Sequence, residues 1–179
     1  MAPEVELLVA RDDVVVEALA RLINRAYALG ESGLWLDGAL RITPSEVAAS
    51  MRDGNMLVAR LEDRIVGCAY VRPLDAATAD LGLVSAEPEQ RGRGLGRQLV
   101  GAAEELGRSR GVATMQLELL VPTAGTHPEK ERLRAWYTRL GYRIVRSARF
   151  EEFAAQSASR LAVPCEFLVF EKPLAADAR

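Results

Sequence analysis

The run Gln90-Arg91-Gly92-Arg93-Gly94-Leu95-Gly96 sets glycines on three alternate positions between an apolar, strand-like stretch and an amphipathic, helix-like one. Without Cβ atoms, successive backbone N–H groups of such a run can converge on one anion. The N-terminus of the following helix adds partial positive charge. Arg91 and Arg93 bring full charges, so the donor set suits a pyrophosphate. The spacing excludes two other phosphate loops. No lysine and hydroxyl stand where G-x-x-x-x-G-K-[ST] requires them. The dinucleotide fingerprint G-x-G-x-x-G fails as well, because its third glycine would fall at Arg97 or at Leu99. The pattern that fits is R-x-x-G-x-G on Arg91, Gly94 and Gly96. The same residues would also make a plain tight turn from strand to helix.

Four further residues have chemistry to offer. Tyr137 lies in Trp136-Tyr137-Thr138-Arg139-Leu140-Gly141-Tyr142, four residues after Leu133 and three before Leu140. That places it on an apolar helical stripe, where a core tyrosine needs only a hydrogen-bond partner. Glu118 interrupts the apolar run Met115–Val121, a strand expected to be covered on both faces. A buried carboxylate there requires a cation, hydrogen bonds or a catalytic task. Two readings stand for it: a base facing a cleft, or a salt bridge to a nearby arginine. Glu87, at the end of the preceding strand, is a second candidate base. His127 is of a type that titrates near neutral pH. Its place beside Pro128, at a helix start, points to a cap or a surface role.

His127 is the only histidine, and no Cys or His pair has ligand spacing, so no metal site is expected. Cys68 and Cys165 lie in separate apolar, strand-like runs and read as buried reduced thiols.

The elements that must position these groups follow from hydrophobic period and end signals. Val5–Val9 reads as a strand. Asp12 and Asp13 open a helix to about Tyr27, and Gly30–Leu40 is a loop. Thr43-Pro44-Ser45-Glu46 is a capped helix start, with its stop near Asp53-Gly54. Met56–Leu61 and Arg64–Arg72 form a hairpin about Glu62-Asp63, and Thr78–Ala86 is a strand feeding the glycine loop. Leu95, Leu99, Ala102, Ala103 and Leu106 recur at helical spacing up to Gly111. Ala113–Val121 is a strand, Thr126–Leu140 a capped helix, and Tyr142–Ser147 and Cys165–Lys172 the last strands. Ala148–Val163 is too long for a hairpin turn. The order β-α-α-β-β-β-α-β-α-β-β predicts an α/β fold with a mixed sheet flanked by helices.

A chain of 179 residues, 49% apolar and 27% charged, fits one domain spanning 1–179. A net charge of −2 argues against a dedicated nucleic-acid binder. No apolar stretch approaches a membrane span. Met1-Ala2-Pro3-Glu4 lacks a basic start to a leader, so the cytoplasm is the expected location.

Arg91–Gly96 resembles the coenzyme A pyrophosphate loop of the GNAT acetyltransferase superfamily, and the element order is that of its fold. Trp136–Tyr142 is similar to the family's ending of the last helix, aromatic-Tyr-x-x-x-Gly-Phe/Tyr. The resemblance implies an acetyl-CoA-dependent N-acetyltransferase, in which the primary amine of a small molecule attacks the thioester directly with both substrates bound. It implies that Arg91, Gly92, Arg93, Gly94, Leu95 and Gly96 hold the pyrophosphate. Val84, Ser85 and Ala86 would pair with the pantetheine arm and offer an N–H to the developing oxyanion. Tyr137 would protonate the leaving thiolate, and Glu118 or Glu87 would help remove the amine proton.

Ala86 is smaller than the family's usual aliphatic residue, although a main-chain contact tolerates that change. Where the family often carries a cofactor-binding asparagine, this chain has about Lys130, so the contact is lost or replaced by a charge. Thr126–Leu133 resembles a bacterial branch of the family without naming a substrate. Acceptor selectivity is expected in the loop after the first helix and in Ala148–Val163. Tyr27, Glu31, Trp35 and Asp37 form either an aromatic, acidic mouth for a cation or an anchor for the loop or a dimer interface. A peptide acceptor and a catalytically silent CoA sensor are the rival readings, and a homodimer is compatible with all three.

Overall fold

The computed structural model describes residues 3–8 and 12–174. Met1, Ala2 and Val9, on which the readings above touch, lie outside the described residues. The elements are β1 (Glu4–Leu8), α1 (Asp13–Gly30), α2 (Pro44–Arg52), β2 (Met56–Leu61), β3 (Arg64–Pro73), β4 (Thr78–Ala86), α3 (Leu95–Ser109), β5 (Thr114–Pro122), α4 (Pro128–Arg139), β6 (Arg143–Arg149), α5 (Phe150–Ala154) and β7 (Cys165–Pro173). The strands and helices follow the expected α/β order, with one helix added between the last two strands. The chain divides into two compact units. The first takes the described residues of Met1–Tyr27, Leu40–Met115 and Pro173–Arg179; the second takes Ala28–Ala39 and Gln116–Lys172.

In the first unit β1, β2, β3 and β4 lie side by side, each antiparallel to its neighbour. Met56 faces Tyr70 and Val58 faces Cys68, so these side chains share one face. That face packs on Leu19 and Ile23 of α1 and Val47 and Met51 of α2. Gly67, one residue along, points to the opposite face. A Cβ there would stand 3.0 Å from the Ser85 carbonyl and 3.1 Å from Leu95 and Leu99. The bare backbone at Gly67 therefore lets α3 sit close against the sheet, and α3 begins at the glycine loop.

Local chemistry explains the helix starts. The Asp12 carboxylate accepts the Val14 N–H at 2.9 Å. Thr43 and Glu46 form a reciprocal capping box around Pro44.

In the second unit the strand order is β5-β7-β6, with β6 and β7 antiparallel and Ala148 opposite Phe167. Its core gathers Leu34, Leu120, Phe150, Phe167 and Val169. The Phe150 and Phe167 rings stack at 5.4 Å. The segment Ala148–Val163 is not irregular: β6 runs to Arg149, α5 follows at once, and a 3₁₀ helix spans Ala155–Arg160. Among the described residues no helix is long and apolar enough to cross a membrane.

Candidate active site

The glycine loop is built by short-range bonds. The Glu87 N–H donates to the Val66 carbonyl at 2.9 Å, tying the end of β4 to β3. A 3₁₀ turn at Pro88–Gln90 follows, with Gln90 buried. The Arg91 N–H donates to Pro88 and the Arg93 N–H to Gln90. Gly92 and Gly94 have φ of 79° and 83°, a left-handed backbone that side chains rarely adopt. A Cβ on either would meet nothing within 4 Å, so the space above the loop is open. Gly94 is the N-cap of α3, and no side chain caps this helix. Its first-turn N–H groups therefore have neither an intrahelical acceptor nor a side-chain one. Two exposed arginines flank them. A doubly charged phosphate group fits this donor set.

Strand β4 contains a feature without a sequence signal. Cys68 of β3 pairs with Ser85, yet Tyr70 pairs with Gly82, so β4 carries one residue more than its partner. This bulge sits at Leu83, whose φ is 53°. A left-handed leucine is strained, and bulges interrupt the ladder and redirect nearby backbone groups. The Leu83 carbonyl lies 3.7 Å from the Cys68 thiol, which donates to it. Burial pushes that thiol up to about 12, against a smaller opposing effect of the Ser85 hydroxyl. Beyond the bulge Val84 and Ala86 are half-buried and Ser85 is buried.

In the second unit Tyr137 is 9% exposed. Its ring meets Trp136 at 4.8 Å, and Tyr142 and Phe170 each at 6.0 Å. Glu118 corrects the expectation of full burial, because β5 alternates between buried and half-buried residues. Gln116 and Glu118 share the more open face. The Gln116 side-chain amide donates to Glu118 Oε1 at 2.5 Å. No arginine pairs with Glu118 among the described residues, so the salt-bridge reading falls. Gln116 is a neighbour that sequence reasoning missed; its spacing of two on a strand was the available signal.

The other candidates are committed elsewhere. Glu87 forms an ion pair with Arg25. His127 occupies the N-cap of α4 without capping it, and its Nε2 lies 3.0 Å from the Ser32 carbonyl. Because a carbonyl only accepts, Nε2 carries the proton in that bond. Glu31 does not form an acidic mouth. It is 6% exposed, with Oε1 on the Lys130 ammonium at 2.7 Å and Oε2 on Trp35 Nε1 at 2.5 Å. Glu31 and Trp35 thus anchor their loop, and Lys130 is spent on that anchor. Tyr27 carries the Arg41 guanidinium 4.9 Å from its ring centre, while Asp37 is exposed. Both cysteines are buried and unbridged. Among the described residues no cluster of three or more His, Cys, Asp or Glu side chains could hold a metal.

The family model for the acetyltransferase (GNAT) domain matches residues 52–144, just over half of the chain. The chain belongs to the GNAT acetyltransferase family. The match includes β4, the glycine loop, Glu118 and Tyr137. Solved structures of other GNAT proteins share the fold at low identity. An aminoglycoside 6'-N-acetyltransferase complexed with coenzyme A superposes with a TM-score of 0.73 at 18% identity, covering 96% of this chain and 97% of that one. The ribosomal-protein-S18-alanine N-acetyltransferase from Escherichia coli gives 0.67 at 16% identity, over 99% and 98%. The protein yncA from Salmonella typhimurium, with its cofactor acetyl-CoA, gives 0.68 at 16%, over 100% and 98%. No curated protein matches this GNAT chain in sequence.

Proposed function

We propose that this GNAT chain transfers the acetyl group of acetyl-CoA to the primary amine of a small molecule. The carrying observation is the loop Arg91–Gly96, with left-handed Gly92 and Gly94 at the uncapped start of α3. Arg91 to Gly96 hold the pyrophosphate of acetyl-CoA through backbone N–H groups and charge. Val84, Ser85 and Ala86, just past the bulge, pair with the pantetheine arm and present an N–H to the oxyanion.

The neutral amine attacks the thioester carbon, the C–S bond breaks, and Tyr137 gives its proton to the leaving sulfur. A positioned donor of this kind is worth roughly 10²–10⁴-fold. Glu118, held by Gln116, takes the proton from the attacking nitrogen, directly or through water. Glu87 is the weaker choice because Arg25 already engages it. Residues 1–179 act as one domain, in the cytoplasm, as a monomer or homodimer. Neither nucleic acid nor membrane enters the reaction.

A peptide acceptor is the second reading, favoured by the likeness to the ribosomal-protein-S18-alanine N-acetyltransferase, whose TM-score of 0.67 stands beside 0.73 for the aminoglycoside enzyme. CoA release from acetyl-CoA tests both. The amines are aminoglycosides, polyamines, aromatic amines, amino acids and short peptides. Saturable release with a small amine supports the proposal, and release with peptides alone replaces it with the peptide reading. Acetyl-CoA binding with no release on any amine would leave a CoA sensor.

A further inference from the structure

Glu87 places a carboxylate at the root of a loop whose donors suit an anion. It precedes the 3₁₀ turn Pro88–Gln90, and its carbonyl accepts the Gln90 N–H at 2.9 Å. Four residues of such a turn advance the chain by only about 8 Å, so Arg91 follows at short range. The Glu87 N–H is tied to the Val66 carbonyl at 2.9 Å, which fixes the backbone from which the carboxylate extends. Its side chain is only 18% exposed. Water therefore screens this charge poorly, whereas Glu89, two residues on, is exposed and well screened. Left unpaired, Glu87 would repel a pyrophosphate at Arg91–Gly96.

Arg25 supplies the opposing charge. It belongs to α1, far from the loop in sequence, and its Nη2 forms an ion pair with Glu87 Oε2. The Arg25 side chain is 53% exposed, and an ion pair so open to solvent adds little to stability. It still decides the local charge. With both groups ionised the pair is neutral; without the guanidinium a full negative charge stands at the root of the loop.

We propose that Arg25 is a positioning residue for the cofactor: it touches no atom of acetyl-CoA, but holds and neutralises Glu87 so that the glycine loop accepts the pyrophosphate. This rests on the assignment of Arg91–Gly96 as the pyrophosphate site. Arg25, Glu87 and the loop all lie within the first unit.

The test is a double-mutant cycle on the full chain, with acetyl-CoA affinity read by calorimetry at about 20 mM and about 300 mM salt. Arg25→Met removes the guanidinium and keeps an apolar stem on α1. Glu87→Gln removes the negative charge and keeps the shape of the side chain. Thermal unfolding of each variant accompanies the titrations.

Arg25→Met is expected to weaken acetyl-CoA binding at least about tenfold at low salt, with a smaller loss at high salt. Glu87→Gln is expected to bind at least as tightly as wild type. The double variant has no charge left to cancel, and is expected to bind within about threefold of wild type. That rescue separates charge compensation from its rivals. If the pair only braced the loop, Glu87→Gln would weaken binding as much as Arg25→Met, which overturns the proposal. If Arg25 touched a phosphate itself, the double variant would bind as poorly as Arg25→Met, which overturns it too. Unchanged affinity in Arg25→Met overturns it outright. Wild-type protein that binds no acetyl-CoA overturns the loop assignment, and the role of Arg25 with it.

Discussion

The Tyr137→Phe substitution keeps the ring contacts with Trp136, Tyr142 and Phe170 and removes only a hydroxyl. If that hydroxyl donates to the leaving thiolate, turnover falls at least about tenfold while acetyl-CoA affinity holds. Steady-state kinetics beside calorimetry separate the two, and equal turnover would take Tyr137 out of the mechanism. The thiols give a second residue-scale prediction. Burial pushes Cys68 up to about 12 from 9.0, and pushes Cys165 up to about 11 with the Glu31 charge adding to it. At pH 8 the Cys68 thiolate fraction is on the order of 10⁻⁴, so DTNB should leave the native thiol unreacted and titrate it on unfolding. The linkage has a definite sign. The folded state keeps protons that unfolded thiols lose above about pH 9, so stability falls as pH rises from there toward about 12. Fast native labelling of Cys68 would contradict its burial.

Gly67 shows at the scale of elements how packing serves the loop. In Gly67→Ala the new Cβ would meet a backbone carbonyl at 3.0 Å and two leucines of α3 at 3.1 Å. We expect a loss of about 1–3 kcal/mol, since backbone cannot move aside as a flexible side chain would. At this chain length that is about 2–4 °C in Tm per kcal/mol, read by thermal unfolding. An unchanged Tm would mean that α3 can retreat from the sheet.

The elements differ in how legible they were. Thr43-Pro44-Ser45-Glu46 carries its cap in residue types alone, and the structure has that capping box. The two-residue turn at Glu62-Asp63 was legible for the same reason. Helix α5 was not, because five residues are too few to display a helical period. The bulge at Leu83 is written in no residue type, since leucine has no preference for φ of 53°. It is visible only in the strand pairing, where Cys68 meets Ser85 and Tyr70 meets Gly82. Glu31 looked like part of an acidic mouth because its partner stands 99 residues away, and only the fold brings Lys130 to it.

For the whole molecule, family and fold were readable because local signals agree in order along the chain. The glycine loop, the ending of α4 and the succession of elements all point one way. The acceptor was not readable, because contacts between distant segments, such as the bridge of Trp35 to Leu161, leave no local signal in the chain. The central claim is that Arg91–Gly96 binds the pyrophosphate of acetyl-CoA. It is tested most directly by calorimetry of acetyl-CoA on the wild-type chain and on Gly94→Glu. A glutamate there brings a negative charge to the anion site; its Cβ meets no neighbour within 4 Å, and the φ of 83° adds local backbone strain, which is why cooperative unfolding is checked as well. The account predicts one acetyl-CoA bound per wild-type chain and no measurable binding to a variant that still unfolds cooperatively. Equal affinity in the two proteins, or no binding to either, would contradict it.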